Sequence, residues 1–147
     1  MKLISLIIGC LLWHTSFAQK STLTTGGYAL SSYDAVSYFE QDGPQKGLKN
    51  FQTNYKGAIY LFRSQAHLEA FQKNPAKYVP QYGGWCAYAM ASGRNIDVQP
   101  QVFTIHGNRA HYFVSTRAKR LFDQDVLGHE ELADGHWKRL SGEEPRF

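Results

Sequence analysis

The stretch Tyr55-Lys56-Gly57-Ala58-Ile59-Tyr60-Leu61-Phe62-Arg63-Ser64 decides the fold. Before it, Phe51 to Tyr55 alternates in polarity; Lys56-Gly57 then makes a break, and Ile59-Tyr60-Leu61-Phe62 is a short run of β-branched and aromatic residues. Alternation has the period of a strand, and a glycine-containing break between two such runs predicts a β-hairpin. Ser64 stands where a helix N-cap is expected, since its hydroxyl can accept from a backbone N–H of the first turn. Leu68 and Phe71 follow on one helical face. The helix is expected to end near Asn74-Pro75, because proline disfavours the helical conformation in the residue before it. Tyr78 and Val79 pack behind it.

Upstream of the hairpin, Asp42-Gly43-Pro44 reads as a turn, Lys46 to Lys49 as continuing loop, and Ser32 to Phe39 as a short helix or turn opened by capping residues. Downstream, Tyr82-Gly83-Gly84-Trp85-Cys86-Ala87-Tyr88-Ala89-Met90-Ala91 reads as a loop entering a short apolar helix, beginning at Trp85 or just before it and lasting until Gly93. Gln101 to His106 and Ala110 to Val114 flank Gly107-Asn108 as a second hairpin. Thr116 to Asp125 predicts a helix with Ala118, Leu121 and Phe122 inward, and Leu127 to Leu140 is helical in part. This order gives an α+β fold, a small single domain with antiparallel hairpins packed against short helices. No internal repeat, low-complexity run or interdomain linker is legible.

The ends and the charge narrow the function. Lys2, the apolar run Leu3 to Trp13 and the small-residue end Ser16-Phe17-Ala18 have the order of a secretory signal peptide over residues 1–18, cleaved near Ala18, so a periplasmic or secreted location is expected. The run is too short to span a bilayer, which takes roughly 20 residues. No transmembrane segment is therefore expected in the mature chain. A lipoprotein reading with Cys10 lipidated competes, but strands Leu11-Leu12-Trp13 on the mature side. Of the formal charge of +4, Lys2 belongs to the leader, and the remaining basic residues are interleaved with acids, as Lys119-Arg120 are with Asp123 and Asp125. That is a solvated surface and not a nucleic-acid stripe.

One cysteine, Cys86, then remains in the mature chain. Exported domains normally pair their cysteines, so a lone thiol is either packed as a small apolar residue or used. Gly83-Gly84 allows a sharp turn into a helix start, where unpaired N–H groups favour thiolate, the form that attacks and ligates. Met90 lies one helical turn on, so a thiol and a thioether would share a face and offer soft sulfur to Cu(I); packing as core filler is the plainer reading of the methionine. No CxxC pair is present, which excludes a dithiol cycle within one chain, and no phosphate loop, dinucleotide fingerprint or zinc-type histidine spacing occurs. No histidine is placed beside Cys86 by the sequence. A binding protein is thus favoured over an enzyme.

The hairpin stretch with Phe71, Asn74-Pro75 and Lys77-Tyr78 resembles a YHS domain. Tyr33-Asp34-Ala35-Val36-Ser37-Tyr38-Phe39 and Gln81 to Ala89 resemble the exported bacterial branch of that family, which carries a single cysteine where Cys86 stands, with selenocysteine in some relatives. The resemblance implies one YHS-like domain over residues 19–147, its core about 28–137. It also implies metal trafficking for the branch beside copper-transporting ATPases, whose two ligand cysteines fall here at Arg63 and His67. Arg63 cannot ligate, whereas the His67 imidazole can; read alone, a histidine in the first turn of a surface helix is more often idle. The expectation is a soft-metal site, copper favoured, on Cys86, Met90 and His67, with a metal ion or a thiol partner protein as the interacting species. A one-cysteine thiol redox protein and a non-catalytic structural or interaction module are the alternatives.

Overall fold

The computed structural model describes residues 22–144 and 146. The expected signal peptide over 1–18 and Cys10 lie outside the described residues. Strands β1 (Thr24–Thr25) and β2 (Tyr28–Ala29) form a minimal hairpin, and two 3-10 turns, Leu30–Ser32 and Ser37–Phe39, follow. Next comes the hairpin of β3 (Leu48–Tyr55) and β4 (Ala58–Phe62), closed by Lys56 and Gly57 with φ of 48° and 80°. Two positive φ values suit a twisted hairpin turn. Its register pairs Tyr55 with Ala58 and Asn54 with Ile59, and β4 also pairs in parallel with β2 through Tyr28 and Ile59, giving the sheet order β1-β2-β4-β3. The strand begins at Leu48, inside the segment expected to be loop. Gly47 precedes it because a Cβ there would lie 2.4 Å from the Leu61 backbone.

Helix α1 (Gln65–Lys73) is capped by Ser64, whose hydroxyl accepts from His67 N at 3.2 Å, and α2 (Pro75–Tyr78) follows the break at Asn74. Tyr60, Phe62 and Phe71 pack ring to ring between sheet and helix, at centroid distances of 4.8 and 5.0 Å from Phe71. A 3-10 turn, Gln81–Gly84, leads to α3 (Ala87–Met90). The expected start at Trp85 is thereby moved: Trp85 is extended, and Cys86 is the N-cap. Positive φ at Tyr82, Gly83 and Gly84 swings the chain, so helical geometry begins only after Cys86. Strands β5 (Gln99–His106) and β6 (Arg109–Phe113) form the second hairpin, followed by α4 (Thr116–Asp123) and α5 (Val126–Ser141). The last helix is continuous where only partial helicity was expected, started by the Asp125 side chain on Gly128 N and ended by Gly142 at φ 72°. The fold is α+β, as expected. No helix among the described residues is long and apolar enough to cross a membrane.

The chain also contains an internal repeat, which corrects the reading that none is present. At one constant shift in sequence, β3 maps onto β5, β4 onto β6 and α1 onto α4, and the paired registers coincide, including the irregularity between Leu48 and Gln52, matched between Gln99 and Phe103. Ser64 and Ser115 are equivalent caps at φ/ψ of −150°/163° and −159°/162°, and Asn74 and Asp125 are equivalent breaks at −147°/72° and −149°/73°. Only anchors such as Phe62/Phe113, Ser64/Ser115 and Phe71/Phe122 are identical, so sequence hides what backbone reveals. One residue further out of step, Leu30-Ser31-Ser32 at φ 51°, 49° and 71° matches Tyr82-Gly83-Gly84 at 52°, 60° and 88°.

Two cores result. Phe62, Phe71, Tyr38 and Tyr60 belong to the first; Phe113, Phe122, Cys86, Met90 and Trp137 belong to the second. Strand alternation lets β6 serve both, with Tyr112 turned to Tyr38 at 5.0 Å and Phe113 to Phe122 at 5.2 Å.

Candidate functional site

Cys86 is fixed by backbone on both sides. Its N–H donates to Ile96 O at 3.0 Å, its C=O accepts from Met90 N at 2.9 Å, and it bridges Tyr112 of β6. The residue is 1% exposed and Met90 is 0% exposed, in a cluster with Ala87, Ala89, Phe113 and Phe122. Both sulfur-bearing residues thus share the second core. Because α3 is one turn long, its macrodipole is correspondingly small. Among the described residues, no group of three His, Cys, Asp or Glu side chains is arranged to hold a metal ion.

His67 stands in the first half, on α1, where its ring meets two carboxylates. Its Nδ1 is 2.6 Å from Asp34 Oδ2, and its Nε2 is 3.0 Å from Glu40 Oε1. Asp34 is fully buried, and its carboxylate also accepts from Val36 N at 2.8 Å and from Arg63 N at 2.9 Å. A buried carboxylate needs such donors, since an unsatisfied one costs on the order of several kcal/mol. Arg63 contributes its backbone here, and its guanidinium reaches Gln45.

The repeat gives these two places one meaning. Asp34 and Cys86 are equivalent: Tyr33 N donates to Leu30 O and Trp85 N to Tyr82 O, both at 3.0 Å, and the next residues donate to Gln45 O and Ile96 O. His67 is equivalent to Ala118, each being the residue whose N–H bonds the capping serine at 3.2 Å. The first half therefore holds a carboxylate against an imidazole where the second holds a thiol in a shell that includes an alanine.

A third cluster lies under α5. His111, 0% exposed, places Nε2 at 3.1 Å from Glu130 Oε1, a close electrostatic contact short of hydrogen-bond geometry. His106 Nδ1 approaches the same carboxylate at 3.2 Å. Arg109 bonds Asp134 Oδ1 at 2.5 Å and approaches Glu130 at 3.5 Å, while Tyr82 OH donates to Asp134 at 2.8 Å. Burial pushes His111 below its ordinary 6.5, outweighing the pull of Glu130. Burial pushes Glu130 up, but His111, Arg109 and His106 together outweigh it and hold the carboxyl below 4.5. Burial also carries the Tyr82 hydroxyl far above its ordinary value.

Residues 43–82 match the YHS domain family. The match covers this segment, less than half of the chain. It runs from the turn before β3 through α2, includes Arg63 and His67, and ends before Cys86. No curated protein and no solved structure matches the chain. The YHS family is associated with metal handling. Sequence reading singled out Cys86, Met90 and His67 and passed over Asp34, Glu40 and the cluster of Arg109, Glu130 and Asp134. A signal for Asp34 was available: Asp34-Ala35 and Cys86-Ala87 each follow an aromatic residue and a pair of small residues, Ser31-Ser32 or Gly83-Gly84. Glu130 and Asp134 fall one helical turn apart on α5, but nothing in the sequence ties them to a buried arginine.

Proposed function

We propose that the chain is an exported metal-handling protein in which Cys86 and Met90 bind Cu(I). The observation that carries this reading is the pair itself: a thiol and a thioether one turn apart in a single cluster, within a chain whose residues 43–82 match the YHS domain family. Soft sulfur suits Cu(I) and does not suit Mg2+ or Ca2+. His67 keeps its own partners, Asp34 and Glu40, so the sulfur pair does not call on it. Because both sulfur residues are buried, metal entry requires the Trp85–Met90 turn to open, and uptake is slow compared with diffusion. The burial of Cys86 also supports a second reading, a structural module in which the thiol only packs.

Titration of the purified protein with Cu(I) against a competing chromophoric chelator tests both. Metal handling expects about one equivalent bound per chain, lost in Cys86→Ala and weakened in Met90→Leu. Unchanged binding in Cys86→Ala removes the proposal. Absence of binding by the unaltered protein, even in mild denaturant that opens the turn, establishes the packed thiol. Secretion of a reporter fused to residues 1–18 tests export.

A further inference from the structure

A cavity of about 310 Å³ opens between the two repeats. Asn74, the cap of α2, and Lys77, within it, form one wall; Asn108 and Arg109, at the turn of the second hairpin, form another, and Gln81 and Arg146 complete it. Three cationic and three amide residues thus line one space, and no acidic residue does.

Each cation has a different hold on its place. Arg109 is fixed from behind by Asp134 and Glu130. Lys77 Nζ rests 5.0 Å from the Tyr78 ring centre and makes no ion pair among the described residues. Arg146 donates to Pro80 O, yet its Nε is buried with no hydrogen-bond partner among the described residues. Burial lowers the Arg146 guanidinium from its ordinary value, the mark of a positive charge held in poor solvation. Like charges gathered around a small concave space raise one another's energy and focus a positive potential into it.

The repeat shows that the local backbone does not need three of these residues. At the constant shift, the counterpart of Arg109 is Ala58, that of Asn108 is Gly57, and that of Lys77 is Gly128. The hairpin turn, and the first helical turn after the break, are each built without a cation there.

We infer that this cavity binds a compact oxyanion, a small molecule whose phosphate or carboxylate group sits against Lys77, Arg109 and Arg146 while the amides of Asn74, Gln81 and Asn108 meet its polar remainder. Guanidinium groups match such oxygens in charge and geometry. The volume lies at the small end of the range for ligand pockets, which limits the guest to roughly the size of citrate or a sugar phosphate. The inference is independent of copper and of Cys86.

The test is titration of the purified protein with inorganic phosphate and, separately, with citrate, followed by amide chemical shifts at constant ionic strength. Saturable shifts centred on Lys77 and Asn108 are expected, and whichever anion binds tighter names the group the site prefers. Lys77→Gln and Arg146→Gln should each weaken binding about fivefold or more, while the exposed Lys49→Gln should not. Non-saturating shifts for both anions up to roughly 10 mM would overturn the inference. So would equal affinities in the protein and in variants shown by their melting curves to be folded.

Discussion

Asp34 and Cys86 occupy one position in the two halves of the chain: each follows a left-handed tripeptide, and each donates its backbone N–H across to the loop before a hairpin, at 2.8 and 3.0 Å. What differs is what the side chain meets. The carboxylate of Asp34 has two backbone N–H donors and the His67 ring, whereas Cys86 sits in an apolar cluster that includes Ala118.

That difference predicts strong coupling between Asp34 and His67. His67→Ala removes a partner at 2.6 Å from a fully buried carboxylate and should destabilise the protein by about 2–3 kcal/mol. Asp34→Cys combined with His67→Ala copies the second half and should cost less than the two changes summed, by at least about 1 kcal/mol. Urea unfolding of the four proteins measures this. Simple additivity would show that the imidazole does not hold the carboxylate.

The two tripeptides also predict a difference in backbone strain. Ser32 and Gly84 are equivalent at φ 71° and 88°, a region that costs a residue with a Cβ about 1 kcal/mol. Ser32→Gly should raise stability by up to about 1 kcal/mol, less what glycine gains in unfolded freedom. Gly84→Ala should lower stability by about 1–2 kcal/mol, although an added Cβ would meet Pro80 only at an ordinary 3.5 Å. Equal stability of Gly84→Ala and the unaltered protein, by thermal or urea unfolding, would refute the strain.

Local elements were legible because their signals are local. Ser64 as a cap, Lys56-Gly57 and Gly107-Asn108 as turns, and Phe71 and Phe122 as inward positions all follow from period and capping chemistry. The repeat was not legible, since it lives in dihedral angles and register while its identical residues are few. The candidate site was half legible for the same reason. Cys86 stands out by residue type and Met90 by spacing, but the pairing of Asp34 with His67, or of Arg109 with Asp134, joins residues distant in sequence. Only the folded backbone brings those together.

The cluster under α5 predicts acid sensitivity. His111 has its folded pKa below 6.5, so the unfolded chain takes up its proton first as pH falls. Stability from this group is therefore complete above about pH 6.5 and is lost on acidification toward the lowered folded value, at up to ~1.4 kcal/mol per pH unit. Glu130 adds a second loss further down, because its folded pKa lies below 4.5. Unfolding midpoints should fall between pH 7 and 5 in the unaltered protein and fall much less in His111→Gln. His106, Arg109 and Asp134, which face the same carboxylate or its neighbours, remain in both proteins. A pH slope unchanged in His111→Gln would assign the acid response elsewhere.

The last prediction concerns access to Cys86. A thiol 1% exposed, with its N–H and C=O bonded to Ile96 and Met90, can meet a reagent only when the Trp85–Met90 turn opens. Alkylation by iodoacetamide should therefore be at least about a hundredfold slower in the folded protein than in urea, the fold-change that an opening cost of about 3 kcal/mol gives. Whether that opening is local separates the readings of the thiol. If the rate barely changes with urea below the unfolding transition, the turn opens by itself, and a metal ion can enter by the same route. If the rate rises in proportion to the globally unfolded fraction, Cys86 is reached only when the second core comes apart. A burial of that kind leaves a packed thiol and removes the route that copper binding needs.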